Sequence, residues 1–163
     1  MDGDFLKVQL DYWKKQLADP LPVLEFTGME NPKNQISFRI SRCPIELDVD
    51  LFSGINTLAR NERCTSFMVL LVALSAALFE HTGRTDIRIG TLVANRRRKG
   101  TELTVGNFVN TLILRIRVSG RMSFRQLLAQ AHDVTLAAFA HQELPFEQLA
   151  RTLERERGVD RAS

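Results

Sequence analysis

The chain has 163 residues, about the size of one ordinary domain. Its 44% hydrophobic and 25% charged residues supply a core and a polar surface, which excludes a disordered tail, a collagen-like fibre and a disulfide-stapled miniprotein. With 22 basic against 19 acidic residues the net charge is +3, a mild bias that suits an acidic partner but is not the clustered charge of a nucleic-acid binder. Cys43 and Cys64 have no C-x-x-C spacing and read as small buried residues in a reducing cytoplasm, not as a bridge or metal site. Met1-Asp2-Gly3-Asp4 is acidic and no apolar run follows it, so no signal peptide is expected. Without an internal repeat at periods of 20 to 50 residues, residues 1–163 read as a single unit.

The first predicted element is a helix from about Asp4 to Leu17. Phe5, Val8 and Tyr12 share one stripe with Trp13 beside it, and Lys7, Lys14 and Lys15 point outward. Pro20 and Pro22 stop it. The strict alternation Ile36-Ser37-Phe38-Arg39-Ile40 predicts a half-buried strand. A helix from about Asp50 to Arg60 follows, with Leu51, Ile55, Leu58 and Ala59 inward, although Gly54 within it costs about 1 kcal/mol against alanine. From Phe67 to Phe79 only Ser75 is polar, and Thr65 or Ser66 caps the first turn. That stretch is shorter than the roughly 20 residues a bilayer needs, so protein should cover it on most sides, and Leu71→Ala or Leu74→Ala should each cost about 2–5 kcal/mol. Gly83 ends this helix.

Ile87 and Ile89 alternate with Asp86 and Arg88 as a strand, and a longer strand runs from about Phe108 to Val118. By parity Phe108, Asn110, Leu112, Leu114, Ile116 and Val118 share its inner face, against Thr111, Ile113, Arg115 and Arg117 outside. An amide among apolar residues must either bond to backbone or line a wet channel, so Asn110 stands out. Between the strands lies a polar loop, Asn95 through Thr101. Ser123 and Gln126 form a capping box for a helix running to about Ala140, with Phe124, Leu127, Leu128, Ala131, Val134, Ala138 and Phe139 buried. Pro145 suits the first turn of a last helix, with Phe146, Leu149 and Leu153 inward. Helices alternating with strands predict an α/β (α+β) sandwich, a mixed sheet covered by helices.

Catalytic chemistry is sparse. None of His81, His132 and His141 pairs with another at i+3 or i+4, no carboxylate cluster supplies a metal shell, and the G-x-S-x-G, Walker-type and G-x-G-x-x-G patterns are missing. His132 and Asp133 are helix neighbours about 100° apart, so they are not expected to form a dyad. No catalytic residue, metal or directly bound cofactor is predicted. Arg96-Arg97-Arg98-Lys99 is the densest charge on the chain; it reads as an exposed loop, or as a grip for a phosphate-bearing partner. Nucleic acid fits less well, since no aromatic interleaves with the run.

Four stretches go further. Asp11-Tyr12-Trp13-Lys14-Lys15-Gln16-Leu17 resembles the helix opening the second half of nonribosomal peptide synthetase condensation domains. Gly90-Thr91-Leu92-Val93-Ala94-Asn95-Arg96 is similar to that family's G-T-x-x-A-N-R stretch, Val105-Gly106-Asn107-Phe108-Val109-Asn110-Thr111-Leu112 to its V-G-x-F-V-N-T-L motif, and His141-Gln142-Glu143-Leu144-Pro145-Phe146-Glu147 to its H-Q-D-x-P-F-E motif. Four matches in family order cover nearly the whole chain. The resemblance implies a chloramphenicol-acetyltransferase-like half that faces a second half across a tunnel. There an acceptor amine attacks a donor thioester, both carried on phosphopantetheine arms of peptidyl or aminoacyl carrier proteins, as in antibiotic and other secondary-metabolite biosynthesis in the cytoplasm.

By the same resemblance Asn107, Asn110 and Thr111 would lie along the tunnel. Asn95, Arg96, Arg97, Arg98 and Lys99 would belong to a floor loop and carrier-docking surface. Trp13, Gly106, Phe108, His141, Gln142, Pro145 and Phe146 would be structural. The partners implied are carrier proteins, the N-terminal condensation subdomain and a neighbouring adenylation domain, with neither nucleic acid nor membrane.

The family's His-His-x-x-x-Asp-Gly signature is absent, Leu92 replaces a frequent proline and Glu143 a frequent aspartate. The chain also stops at Arg161-Ala162-Ser163, where the family continues into an R-x-x-S-R-x-P-L-like segment. The expectation is thus a partial C-terminal subdomain, inactive alone, with an open sheet edge that allows self-association. A non-catalytic module binding carriers or a partner enzyme, and a small oligomeric CoA-dependent acyltransferase, are the alternatives.

Overall fold

A computed structural model describes residues 3–18, 44–96, 100–101 and 103–158. The strand expected at 36–40, Pro20, Pro22, Cys43, Arg97, Arg98, Lys99 and the last residues, 159–163, lie outside them. The elements in order are α1 (Gly3–Gln16), α2 (Val49–Asn61), α3 (Ser66–Thr82), β1 (Asp86–Val93), β2 (Asn110–Arg117), α4 (Phe124–Ala140) and α5 (Phe146–Glu156).

The helix ends follow from local chemistry. The Asp48 carboxylate accepts from Leu51 N at 2.7 Å and opens α2, and the Thr65 hydroxyl accepts from Met68 N at 3.3 Å and opens α3. Each satisfies one of the N–H groups that a helix start leaves without an internal partner. Gly83 closes α3 at φ +66°, a left-handed position that costs glycine nothing and lets its N–H reach Phe79 O. Ser123 and Gln126 make the expected reciprocal box at the start of α4. Pro145 takes the N-cap position of α5, where its missing N–H is not needed, and its carbonyl accepts from Gln148 N and Leu149 N.

β1 and β2 pair antiparallel, Asp86 opposite Arg117 through to Val93 opposite Asn110. This pair is the whole sheet among the described residues. Ile87, Leu112, Leu114, Ile116 and Val118 are buried on one face together with Val69, Val72, Leu127, Leu128 and Ala131 of α3 and α4. Such burial stabilises by about 25 cal/mol per Å² of apolar area. Gln130 of α4 braces the end of β2 as a surrogate strand: its amide accepts from Arg117 N at 2.6 Å and donates to Arg117 O at 3.1 Å.

Four predicted faces differ from those observed. On α1, Phe5 and Val8 are exposed, and the buried residues are Gln9, Trp13 and Leu17 with Leu6 and Leu10 beside them. The docking of Trp13, and not the count of apolar residues, sets the helix rotation. On α2, Leu51 faces outward while Ala59 is buried and Ile55 and Leu58 are half-buried, and on α4 Phe124 is exposed in the first turn. On α3, protein covers one side only: Val69, Leu71, Val72 and Ser75 are buried, whereas Phe67, Leu70 and Leu74 are exposed.

Leu74 is 48% exposed, so Leu74→Ala is expected to cost about 1 kcal/mol by urea denaturation, well below the buried-leucine range. No single helix among the described residues is long and apolar enough to cross a membrane.

Candidate functional site

The two motif stretches that surround β2 and precede α5 meet at one side chain. Asn110 begins β2 on its inner face, and its Nδ2 donates to Gln142 O and to Leu144 O, both at 2.8 Å. Its Oδ1 accepts from Thr111 N at 2.9 Å and from Phe146 N at 3.0 Å. Two donors meet two carbonyls and one oxygen meets two N–H groups, so the amide is saturated and only one of its two flip orientations fits. Of the two readings open for a buried amide here, bonding to backbone is the one its geometry displays.

Around it, Gln142 is itself buried and donates to Phe139 O at 2.7 Å. Phe146 opens α5 half-buried, and Leu144 and Leu149 are buried in the main core.

The turn at the end of α4 is also tied to α1. Trp13 is 2% exposed, and its indole N–H donates to His141 O at 2.8 Å. Tyr12 stacks on the His141 ring with centroids 3.9 Å apart and planes 8° from parallel. His141 Nδ1 lies 2.8 Å from Ala137 O, which places its ring hydrogen on that nitrogen. Burial pushes the Tyr12 hydroxyl above its ordinary pKa, against a smaller opposing effect from its hydrogen bond with Gln16.

His132 and Asp133 do touch, Nδ1 to Oδ1 at 3.2 Å, contrary to the expectation from helix geometry. Both are exposed, so their side chains are free to bend toward each other over solvent.

A second group organises the loop between the strands. Asn95 sits at φ +50°, a left-handed position that asparagine tolerates better than most residues. Arg96 then donates through Nη1 to Thr101 O and, at 3.0 Å, to Thr104 O, and through Nη2 to Gly106 O at 3.0 Å. Its guanidinium lies 4.3 Å from the centre of the Phe108 ring. Asn107 is exposed, and its Oδ1 accepts from Val109 N at 3.1 Å in a tight turn. Thr111 is half-buried next to Asn110.

The loop and the α4–α5 turn thus meet along the Phe108–Asn110 stretch. Trp13, Asn110, His141, Gln142, Pro145 and Phe146 form one cluster, and Asn95, Arg96, Gly106, Asn107 and Phe108 the other.

The outer face of the sheet holds an ion network that the sequence reading did not assemble. Register places Arg88 directly opposite Arg115. Asp86 stands between them: Arg115 grips it with Nε and Nη2 at 2.8 Å each, and Arg88 Nη2 reaches it at 2.9 Å. Arg115 Nη1 also donates to Gln16 O at 2.8 Å and so closes the end of α1, where Arg157 reaches Leu17 O. Burial alone would raise the Asp86 pKa, but the hydrogen bonds and charges of Arg115 and Arg88 outweigh it and hold the carboxyl below its usual range. The missed signal was the pairing itself, because two arginines facing each other across a ladder require an acid between them.

Cys64 is free and half-buried at the α2–α3 turn. Burial, then the nearby Glu62 charge, pushes its thiol above its ordinary value, which makes it a weak nucleophile.

Comparison with known proteins places this geometry. The cyclization–docking bidomain of the EpoB nonribosomal peptide synthetase from Sorangium cellulosum superposes with a TM-score of 0.78 at 20% identity, over 97% of this chain and 32% of that one. The fold class is therefore that of the condensation and cyclization domains, the chloramphenicol-acetyltransferase-like fold. A linear gramicidin synthase of Brevibacillus parabrevis is 39% identical over 160 residues, 98% of this chain and 3% of that protein. A plipastatin synthase of Bacillus subtilis (strain 168) is 40% identical over 159 residues, 98% of this chain and 6% of that protein. Residues 3–163 match the Condensation domain family profile, and the chain belongs to that family. It spans only a few per cent of the length of these relatives.

Proposed function

We propose that this chain is the C-terminal subdomain part of a condensation domain, forming one tunnel wall and a carrier-docking surface for amide-bond formation in nonribosomal peptide synthesis. The observation that carries this reading is the joining at Asn110 of two motif stretches in a chain that matches the Condensation family over residues 3–163.

In this reading the acceptor amine attacks the donor thioester carbonyl. A C–N bond forms, the C–S bond breaks, the donor phosphopantetheine leaves as a thiol, and the amine gives up a proton. The histidines here suit that last task poorly. None of them lies in a His-His-x-x-x-Asp-Gly signature: His141 ties the end of α4 through Nδ1 and Ala137 O and stacks on Tyr12, His132 pairs with Asp133 at the surface, and His81 lies exposed on α3. We therefore assign the proton acceptor to an N-terminal subdomain bearing the His-His-x-x-x-Asp-Gly signature.

Asn107 and Thr111 are assigned to the tunnel wall, and Asn110 steadies that wall from behind. Arg97, Arg98 and Lys99 are assigned to carrier docking. Carrier proteins and a neighbouring adenylation domain are the further partners, with substrates held on phosphopantetheine, in the cytoplasm.

Mixed with loaded donor and acceptor carrier proteins, this chain alone is expected to give no dipeptidyl thioester by mass spectrometry. Adding a separately expressed N-terminal condensation subdomain should restore product. Product from the chain alone, or none from the folded pair, would overturn the assignment.

A further inference from the structure

The basic run that follows β1 suggests a docking charge, yet its first member is engaged in folding the loop. Arg96 draws in the carbonyls of Thr101, Thr104 and Gly106 and lies over the Phe108 ring. Three carbonyls spread along the chain converge on one planar fork, a geometry that a point-like ammonium does not reproduce. Local bonds add to these among the described residues: Thr104 Oγ1 donates to Gly100 O at 2.8 Å, Thr104 N to Thr101 O at 3.3 Å, and Val109 N to Asn107 Oδ1. Loop backbone groups need partners, and Arg96 supplies them at separations of five, eight and ten residues. Asn95 at φ +50° turns the chain immediately before Arg96, where the side chain must fold back over the loop. The same loop runs through Phe108 directly into Asn110.

We infer that Arg96 is a positioning residue: it sets the path of the loop from Gly100 to Phe108, and thereby the placement of Asn107 and Thr111 at the head of β2. It does not act as a contact charge for an acidic partner. The loop-setting role stands on geometry alone; its consequence for turnover rests on the condensation reading.

The test separates charge from shape. Arg96→Lys keeps the charge and loses the fork, and Arg96→Ala loses both. Backbone hydrogen exchange at Thr104 and Val109 is measured in this chain. Turnover, the KM for the loaded carrier and the salt dependence are measured in the two-subdomain assay described above. Both variants are expected to speed exchange by about tenfold or more and to lower turnover by a similar factor, the loss expected for charge-assisted hydrogen bonds. The carrier KM should stay within about twofold with an unchanged salt dependence, because no interface charge is removed. Free guanidinium chloride at low concentration should partly restore the alanine variant and not the lysine variant.

The inference is overturned if the lysine variant matches the unaltered protein while the alanine variant raises the carrier KM and flattens the salt dependence. It is equally overturned if neither variant changes exchange. Should the unaltered pair make no product, the condensation reading falls and the exchange data still decide the role of Arg96.

Discussion

Asn110→Asp is expected to lower the unfolding free energy by about 2–4 kcal/mol at neutral pH, read as a drop in urea midpoint with little change in slope. The substitution keeps the shape and the accepting oxygen, so Thr111 N and Phe146 N retain their partner. It removes both N–H donors and sets a carboxylate oxygen where Nδ2 stood, 2.8 Å from the carbonyls of Gln142 and Leu144. Two buried carbonyls then lose their hydrogen bonds and face a negative charge. Asn110→Ala should cost a similar amount, because it leaves all four main-chain partners to find water at a site only 9% exposed. The 141–146 turn and α5 should loosen first, since the amide ties them to the sheet, and hydrogen exchange in Phe146–Glu156 would report it. An amide that merely lined a wet channel would give shifts within about 0.5 kcal/mol for both substitutions, and that result would remove Asn110 from its place as a clamp.

The elements and features that one-sequence reasoning recovered depend on near neighbours. The Ser123–Gln126 box, the Thr65 cap and the Gly83 stop each act within four residues, so their residue types announce them. The inner face of β2 is likewise set by its own alternation. What periodicity misassigned was which face of a helix meets the rest of the molecule.

On α1, Phe5 and Val8 look like a core stripe, but the helix turns to bring Trp13 to His141 O, 128 residues away. The buried Gln9 follows from that rotation, its amide reaching toward Ala140 O at 3.4 Å. On α3 the apolar run has no period to choose a side, and burial chooses Leu71 over Leu74. The family motifs pointed to Asn110 and Arg96 as residues of interest, while their roles in holding backbone carbonyls depend on loop paths that spacing does not encode. Asp86 escaped for the same reason, since a strand register must be known before Arg88 and Arg115 are seen to face each other.

That register makes Asp86 the other site of large expected effect. Asp86→Ala should destabilise the chain by about 3–5 kcal/mol at pH 7, because it withdraws the shared carboxylate from two guanidinium groups already taken out of water. The side chains of Arg88 and Arg115 are 5% and 7% exposed and that of Asp86 is 23%, so solvent screens the network weakly. The bidentate grip of Arg115 adds directional hydrogen bonds to the charge interaction, and its Nη1 bond to Gln16 O couples the sheet to α1. Loss of Asp86 should therefore also fray the last turn of α1.

The pH dependence follows in sign. The Asp86 carboxyl is held below its ordinary pKa in the folded chain, so the unfolded chain takes up the proton first as pH falls. The stabilisation is complete above about pH 5, declines as pH drops through the ordinary aspartate value near 3.9, and is spent once the lower folded-state value is passed. Urea denaturation of the parent chain and of Asp86→Asn, compared at pH 7 and near pH 3, should show a wide gap at neutrality that narrows in acid. A gap of constant width would mean that Asp86 contributes by packing and not by charge.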